Sequence, residues 1–437
     1  MLRRIRGSNR NSALVILTAL GIALMVIGAG AQSRVAVSHL PQPFATPSAV
    51  NFPKVVGWPV KETPDVPRGF FIDAIATDIE SPRWLYVLPN GDLLVAQSKT
   101  TKPPMDDPEL ADAMTAAGSL GTSPNQITLL RDANKDGRFE TRQVFLAALN
   151  QPFGMALQKG YLYVANTDSV VRYPYKDGAT SIDIDGEKIV DLPAGGYNNH
   201  WTRNILFSPA GDKLYITVGS QTNVDEEGID AMDPHRAAIL ECNPDGSGLR
   251  VFASGLRNPN GLDWAPNTGA LWTVVNERDG LGDDVPPDFL TSVRDGGFYG
   301  WPFAYFGIQD PRHKGERADL VAQALVPDVA VGAHTASLGF VFYKGTSFPA
   351  RYRNGAFVAQ HGSWNRSKFS GYRVAFVPFN GSSTNPVEDF VTGFIASEQR
   401  REVYGRPVGL AVLPGGALAI ADDAGNRIWR VRSTGTQ

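Results

Sequence analysis

At 43% hydrophobic and 19% charged residues, the 437-residue chain is not an intrinsically disordered protein. Its length exceeds that of most single domains other than barrels, propellers and repeat arrays. With 41 Lys and Arg against 44 Asp and Glu, it lacks the basic surplus that nucleic acid demands of a partner. The one cysteine, Cys242, allows no intramolecular disulfide and no cysteine-based metal site; beside a strand pattern it reads as a small buried residue.

Residues 1–31 differ from the rest. Arg3, Arg4, Arg6 and Arg10 precede an uncharged, mostly apolar run of 19 residues, Ala13 to Ala31, that ends Ala29-Gly30-Ala31. This is the layout of a secretory signal with an A-x-A cleavage site. The alternative is an uncleaved membrane anchor, because a run of that length nearly spans a bilayer. Cleavage would leave 37 basic and 44 acidic side chains, a net charge of −7. An exported chain without disulfides fits a bacterial periplasm or outer surface. Residues 32–68 are rich in Pro, Ser and Val without a period and read as a linker, either free or laid against the domain.

From Gly69 onward a phrase recurs: an apolar strand, a turn, a second apolar strand, a polar loop. It begins at Pro82-Arg83-Trp84, Pro152-Phe153-Gly154, Asn204-Ile205-Leu206, Asn260-Gly261-Leu262, Leu338-Gly339-Phe340 and Pro407-Val408-Gly409. Pro-x-Gly reads as the turn of each hairpin. Units about 50 to 75 residues apart suit four-stranded propeller blades with insertions. The expected fold is therefore all-β, a six-bladed β-propeller over residues 69–434. Lys102 to Gly121 is an insertion whose Ala111 to Ala117 suits a short helix over one end. Asp288 to Val326 is a second long excursion, and long excursions in compact folds often cover sites.

Polar residues gather at the seams of the units. His200 precedes the third unit and is the candidate general base, since neutral imidazole accepts a proton near pH 7. Arg257 and Asn258 precede the fourth unit, and Arg406 precedes the sixth. Two arginines at one axial end would hold a carboxylate or phosphate. Asn276 to Asp284 is oxygen- and Gly-rich and suits Ca²⁺. Asp132-x-Asn134-x-Asp136-Gly137 resembles the start of a Ca²⁺ loop, but Gln143 at the twelfth position favours a plain hairpin turn. His361 to Lys368 brings together an aromatic, an amide and two cations, a combination that stacks on and neutralises a flat anionic cofactor. The structural alternatives are a loop histidine that only hydrogen-bonds, arginines paired to neighbouring acids and a solvated acidic turn.

The stretches NNHWTRNILFSP, GLRNPNGLDWAP, NERDGLGDD, DGGFYGWP, HGSWNRSKFSGYRV and YGRPVGLAV resemble the pyrroloquinoline quinone (PQQ)-dependent sugar dehydrogenases, from Pro82 to Val431. GSWNRS is similar to the sorbosone dehydrogenase-like branch. The resemblance implies a six-bladed propeller, PQQ and Ca²⁺ as cofactors and a small sugar as substrate; the electron acceptor, a quinone or a cytochrome, is left open by the sequence. It implies His200 as the base that takes the sugar hydroxyl proton, with Arg257 beside it. It implies that Gln151, Asn258 and Arg406, with Arg366 or Lys368, contact PQQ, and that Asp279 and Gly280 hold the metal. The sequence departs from the glucose dehydrogenase pattern in two places. Asn199 stands where a carboxylate orients the imidazole, and the acidic loop lacks a Gly-Pro pair. Two other readings of such a propeller are a Ca²⁺-dependent lactonase and a non-catalytic glycan- or protein-binding module.

Overall fold

A computed structural model describes residues 40–103, 106–195, 198, 200–379 and 386–435. The basic head and apolar run of residues 1–31 lie outside these. No helix among the described residues is long and apolar enough to cross a membrane.

Six four-stranded sheets follow one another along the chain, one of them extended by a short fifth strand. Blade 1 is Pro82–Val87, Leu93–Gln97, Gln126–Arg131 and Thr141–Leu146. Blade 2 is Met155–Gln158, Tyr161–Ala165, Ser169–Pro174 and Glu187–Asp191. Blade 3 is Ile205–Phe207, Leu214–Val218, Ala238–Cys242 and Arg250–Ser254, to which Gly297–Phe298 adds in parallel. Blade 4 is Pro259–Trp264, Leu271–Val275, Pro287–Ser292 and Val329–Ala333. Blade 5 is Ser337–Phe342, Ala356–Gln360, Arg373–Val377 and Glu388–Val391. Blade 6 takes Pro407–Val412, Leu418–Asp422 and Arg427–Ser433 from the end of the chain and its outer strand, Phe70–Thr77, from the beginning. That pairing of the two ends closes the sheet order.

The first strands touch in cyclic order from blade 1 to blade 6, and the sixth returns to the first. A separate apolar core fills each seam. Leu94 and Ala96 pack toward blade 2, whereas Leu93 and Val95 pack toward blade 6. Phe357 and Ala359 face blade 6, and Ala356 and Val358 face blade 4. Because both faces of a blade are buried, its second strand is a continuous apolar run and the period of two disappears from the sequence.

Pro89-Asn90-Gly91, Pro209-Ala210-Gly211 and Pro414-Gly415-Gly416 are hairpin turns between first and second strands, as the sequence suggested, with Gly91 N–H on Leu88 O, Gly211 N–H on Ser208 O and Gly416 N–H on Leu413 O. A second Pro-x-Gly phrase has another place. It opens the innermost strand, at a register shift between Pro259 and Leu262 and again between Pro407 and Leu410. The glycine is required by close approach of neighbouring backbones. A Cβ on Gly409 would lie 2.6 Å from the Arg83 carbonyl oxygen, and one on Gly261 2.7 Å from the Phe340 nitrogen.

The first insertion carries a helix, Pro108–Ala116, capped by the Asp107 carboxylate. The second leaves blade 4 after Ser292, later than the sequence placed it, and returns at Val329 with a short hairpin, a 3-10 turn at Pro311–His313 and the helix Ala318–Gln323 between. The stretch read as a linker is bound to the propeller. Phe44 N–H donates to Leu281 O, Gly282 N–H to Ser48 Oγ and Asp283 N–H to Thr46 Oγ1, and Trp58 is buried with its indole N–H on Asp422. The turn at Asp132 is a hairpin connection whose carboxylates accept N–H groups of their own turn. Asp132, Asp136 and Glu140 are the one group of acidic, His or Cys side chains with metal-ligand spacing among the described residues, and they lie at the surface.

Candidate active site at one axial end of the ring

Starts of first strands and ends of second strands emerge on the same end of a propeller. Here they enclose a cleft of about 1120 Å³. His200, Arg257, Asn258 and Arg406 arrive from the starts; Lys99, His361 and Asp423 arrive from the ends. The helix Pro108–Ala116 forms part of the wall through Leu110 and Met114.

His200 is held at both its backbone and its ring. The buried Arg203 guanidinium donates from Nη1 to the His200 carbonyl at 2.6 Å and from Nη2 to Pro193 O at 2.7 Å. His200 Nδ1 lies 2.9 Å from the Ser220 carbonyl oxygen. A carbonyl only accepts, so Nδ1 carries the proton and the lone pair is on Nε2. Nε2 has no partner among the described residues, and the residue lines the cleft. Burial, followed by the nearby charges of Arg257, Arg236 and Arg203, holds the imidazole well below its usual pKa of 6.5 and so neutral. Gly219 makes the fit possible: a Cβ there would stand 2.5 Å from His200 Cβ and 2.6 Å from Asn258 Oδ1. Asn199, expected beside the ring, lies outside the described residues; Ser220 supplies the orientation.

Asn258 is buried and its Oδ1 is without a partner. Its carbonyl accepts from Asn260, which also binds Thr202 and Asn204, so blades 3 and 4 are stitched at the axis. Arg406 is buried, with Nε on His361 O at 2.9 Å, Nη2 on Gly362 O at 2.9 Å and Nη1 on Ser119 Oγ at 2.8 Å. It thereby ties blades 5 and 6 to the segment that follows the helix. Across the cleft Arg83 pairs with Asp423, which also accepts from His361 Nε2 at 2.9 Å. Burial alone would raise the Asp423 carboxyl, but His361 and Arg83 hold it far below the ordinary carboxylate range. The Arg83 guanidinium lies 5.3 Å over the Trp201 ring, and its Nε is without a partner.

Other expected residues sit elsewhere. Gln151 does not line the cleft; its amide donates to Lys99 O at 2.8 Å and so positions a residue that does. Arg366 is turned to the acidic loop, with Nε on Asp283 O at 3.0 Å and Nη2 on Asp284 at 2.8 Å. Lys368 is exposed, and neither residue lines the cleft. Arg257 reaches the cleft, but its donors are spent on Asn223, Asn276 and Glu277. The metal expectation for Asp279 and Gly280 does not fit this arrangement. The Asp279 carbonyl already accepts N–H groups from Asn223 and Arg278, its carboxylate pairs with His334 at 3.0 Å, and Gly280 N–H donates to Asn365.

Sequence reasoning missed Arg83, Lys99, Ser220 and Asp423. A signal existed for three of them: Asp423 follows its second strand as His361 does, and Lys99 and Ser220 stand one residue farther on, whereas Arg83 lies inside its first strand, after the proline that Arg406 precedes.

The family described as Glucose / Sorbosone dehydrogenase matches residues 79–363, and a TrAA12-like family matches residues 308–434. A protein of Borreliella burgdorferi with no assigned function is 28% identical over 308 residues, 67% of this chain and 79% of that protein. The aldose sugar dehydrogenase YliI of Escherichia coli is 27% identical over 174 residues, 36% of this chain and 44% of that enzyme. Among solved structures, the holo form of the PQQ domain of Coprinopsis cinerea pyranose dehydrogenase superposes with a TM-score of 0.67 at 20% identity, covering 87% of this chain and 100% of that one. At that identity the likeness is one of fold. The axial cleft, the seam residues and a match over most of the ring together make this chain a member of the glucose/sorbosone dehydrogenase family.

Proposed function

We propose that the chain oxidises an aldose or related sugar using PQQ, with His200 as the base, in a compartment outside the cytoplasm. The observation that carries this reading is a neutral histidine whose free Nε2 belongs to a cation-lined cleft. The cleft fits the group. Its volume admits a flat cofactor with a sugar beside it. Arg83, Lys99, Arg257 and Arg406 offer the positive charge that a tricarboxylate needs, and the orphaned Arg83 Nε and Asn258 Oδ1 offer unused polar atoms.

PQQ, when bound, supplies the two-electron acceptor. The chain supplies the rest. His200 Nε2 takes the hydroxyl proton, and the Ser220 carbonyl keeps the imidazole in the tautomer able to do so. The cations lower the energy of negative charge developing in the cleft, in surroundings where burial strengthens their effect. The wall formed by Leu110 and Met114 limits water on one side.

Adding PQQ to the purified full chain, recording bound-quinone absorbance and following aldose-dependent dye reduction tests this reading. Stoichiometric binding with sugar-driven reduction supports it. Absence of binding at micromolar PQQ contradicts it and turns attention to lactone hydrolysis or glycan binding.

A further inference from the structure

The loop from Asn276 to Asp283 is where a divalent cation would be sought, yet its oxygens already face cations of the chain. Arg257 donates from Nη1 to Glu277 O at 2.7 Å and from Nη2 to Asn223 Oδ1 at 2.9 Å. Arg278 donates from Nε and Nη2 to Asp279 O at 3.0 and 2.8 Å, while its Nη1 meets both Asp310 oxygens at 2.8 and 2.7 Å. His334 places Nδ1 3.0 Å from Asp279 Oδ1 and Nε2 2.8 Å from Gly282 O. Both partners of His334 are acceptors, so both ring nitrogens carry protons and the ring is an imidazolium. All three cationic residues are buried.

Calcium takes about six to eight oxygens at about 2.3–2.6 Å. The carbonyls of Glu277, Asp279 and Gly282 and one oxygen of the Asp279 carboxylate are each within hydrogen-bond distance of a positively charged N–H donor. The other Asp279 oxygen lies 3.8 Å from Arg257 Nη2. Seating a divalent ion there would force it against three buried positive charges.

We infer that the guanidinium groups of Arg257 and Arg278 and the imidazolium of His334 take the place of a divalent cation in this loop, and that the chain binds its quinone without calcium. Asp310, brought from the second insertion, is the counter-charge that fixes Arg278. The half of the inference that concerns the quinone rests on the PQQ reading; the half that concerns the loop does not.

The test uses the full chain carrying Asp132→Asn and Asp136→Asn, which removes the exposed carboxylates of the surface turn. Calcium chloride is titrated with and without PQQ. Without PQQ, the expected result is a Tm that calcium leaves in place and no saturable heat of binding. A saturable rise of about 5 °C, the size expected for a ligand at about a hundred times its Kd, that disappears in Asp279→Asn overturns the inference. A rise that persists in Asp279→Asn places calcium elsewhere and leaves the loop as inferred. With PQQ, the expected Kd differs by less than about twofold between calcium and EDTA, whereas a tenfold tightening by calcium overturns the inference. Failure of PQQ to bind in either medium counts against the quinone reading, and the titration without PQQ still decides the loop.

Discussion

Two buried histidines, His200 in the cleft and His334 behind the acidic loop, have their pKa values shifted in opposite directions, and the cause is what each faces. His200 Nδ1 meets a carbonyl while Nε2 stays free, among arginines, and its folded pKa is lowered. Its contribution to stability is present above the unfolded value of about 6.5 and is lost as pH falls below that toward the folded pKa. His334 is buried, which disfavours its charge, but Asp279, Gly282 and Asp288 together raise it. Its contribution is complete below about 6.5 and fades as pH rises through the raised folded value. Asp283 also faces His334. The difference in Tm between the wild type and His334→Gln is therefore expected to be largest in mild acid and to shrink toward alkaline pH; a difference that grows with pH contradicts the imidazolium assignment. Gly219→Ala is expected to displace His200 and Asn258. Sugar oxidation should fall by more than about tenfold while the protein remains folded, checked by steady-state rates beside circular dichroism.

At the scale of elements, the ring is built from seams, and seam residues couple distant segments. Arg406 joins blade 5 to the segment after the helix Pro108–Ala116. Arg406→Ala would leave the His361 and Gly362 carbonyls unpaired, at a cost of about 1–3 kcal/mol each. Faster proteolysis within residues 100–121, measured by limited digestion, is the accompanying expectation. Phe340 is fully buried between blades 4 and 5, and Phe340→Ala is expected to destabilise by about 3–5 kcal/mol in a denaturant titration. Elements of this kind were legible because each repeats: a proline-led first strand, then an apolar second strand. His200, Arg257, Asn258 and Arg406 were legible for the same reason, since the repeat puts them at equivalent starts. Ser220, Asp423 and Lys99 were not noticed because they follow strands that read only as apolar runs. Asp310 and Asn223 were invisible because their partners lie 32 and 34 residues away across insertions with no period.

For the whole molecule, the decisive contact joins the chain's beginning to its end. Phe70–Thr77 pairs with Arg427–Ser433, and Phe70 also packs edge-on against Phe348, Tyr352 and Phe390 of blade 5. Deleting residues through Thr77 would leave blade 6 with three strands and an open edge. Loss of the cooperative thermal transition is the expected outcome, and an unchanged transition contradicts closure by that strand. The six units of the ring were readable from sequence. The strap at residues 40–58 reads only as a linker that can lie against the domain: apart from the buried Trp58 it is held largely by backbone, Ser and Thr hydrogen bonds, which leave no periodic apolar pattern to read. Its effect is local to the site, because Val50 and Phe52 join the cleft and Phe52 stacks on Trp364 at 5.2 Å.

The central claim, that His200 is the base of a quinone-dependent sugar oxidation, is tested most directly by a single turnover. The full chain loaded with PQQ is mixed with aldose, and the loss of oxidised-quinone absorbance is followed for wild type and His200→Asn. The account predicts that the variant still binds PQQ stoichiometrically and that its reduction is slower by about 10²–10⁴-fold. Equal rates in the two proteins would contradict it.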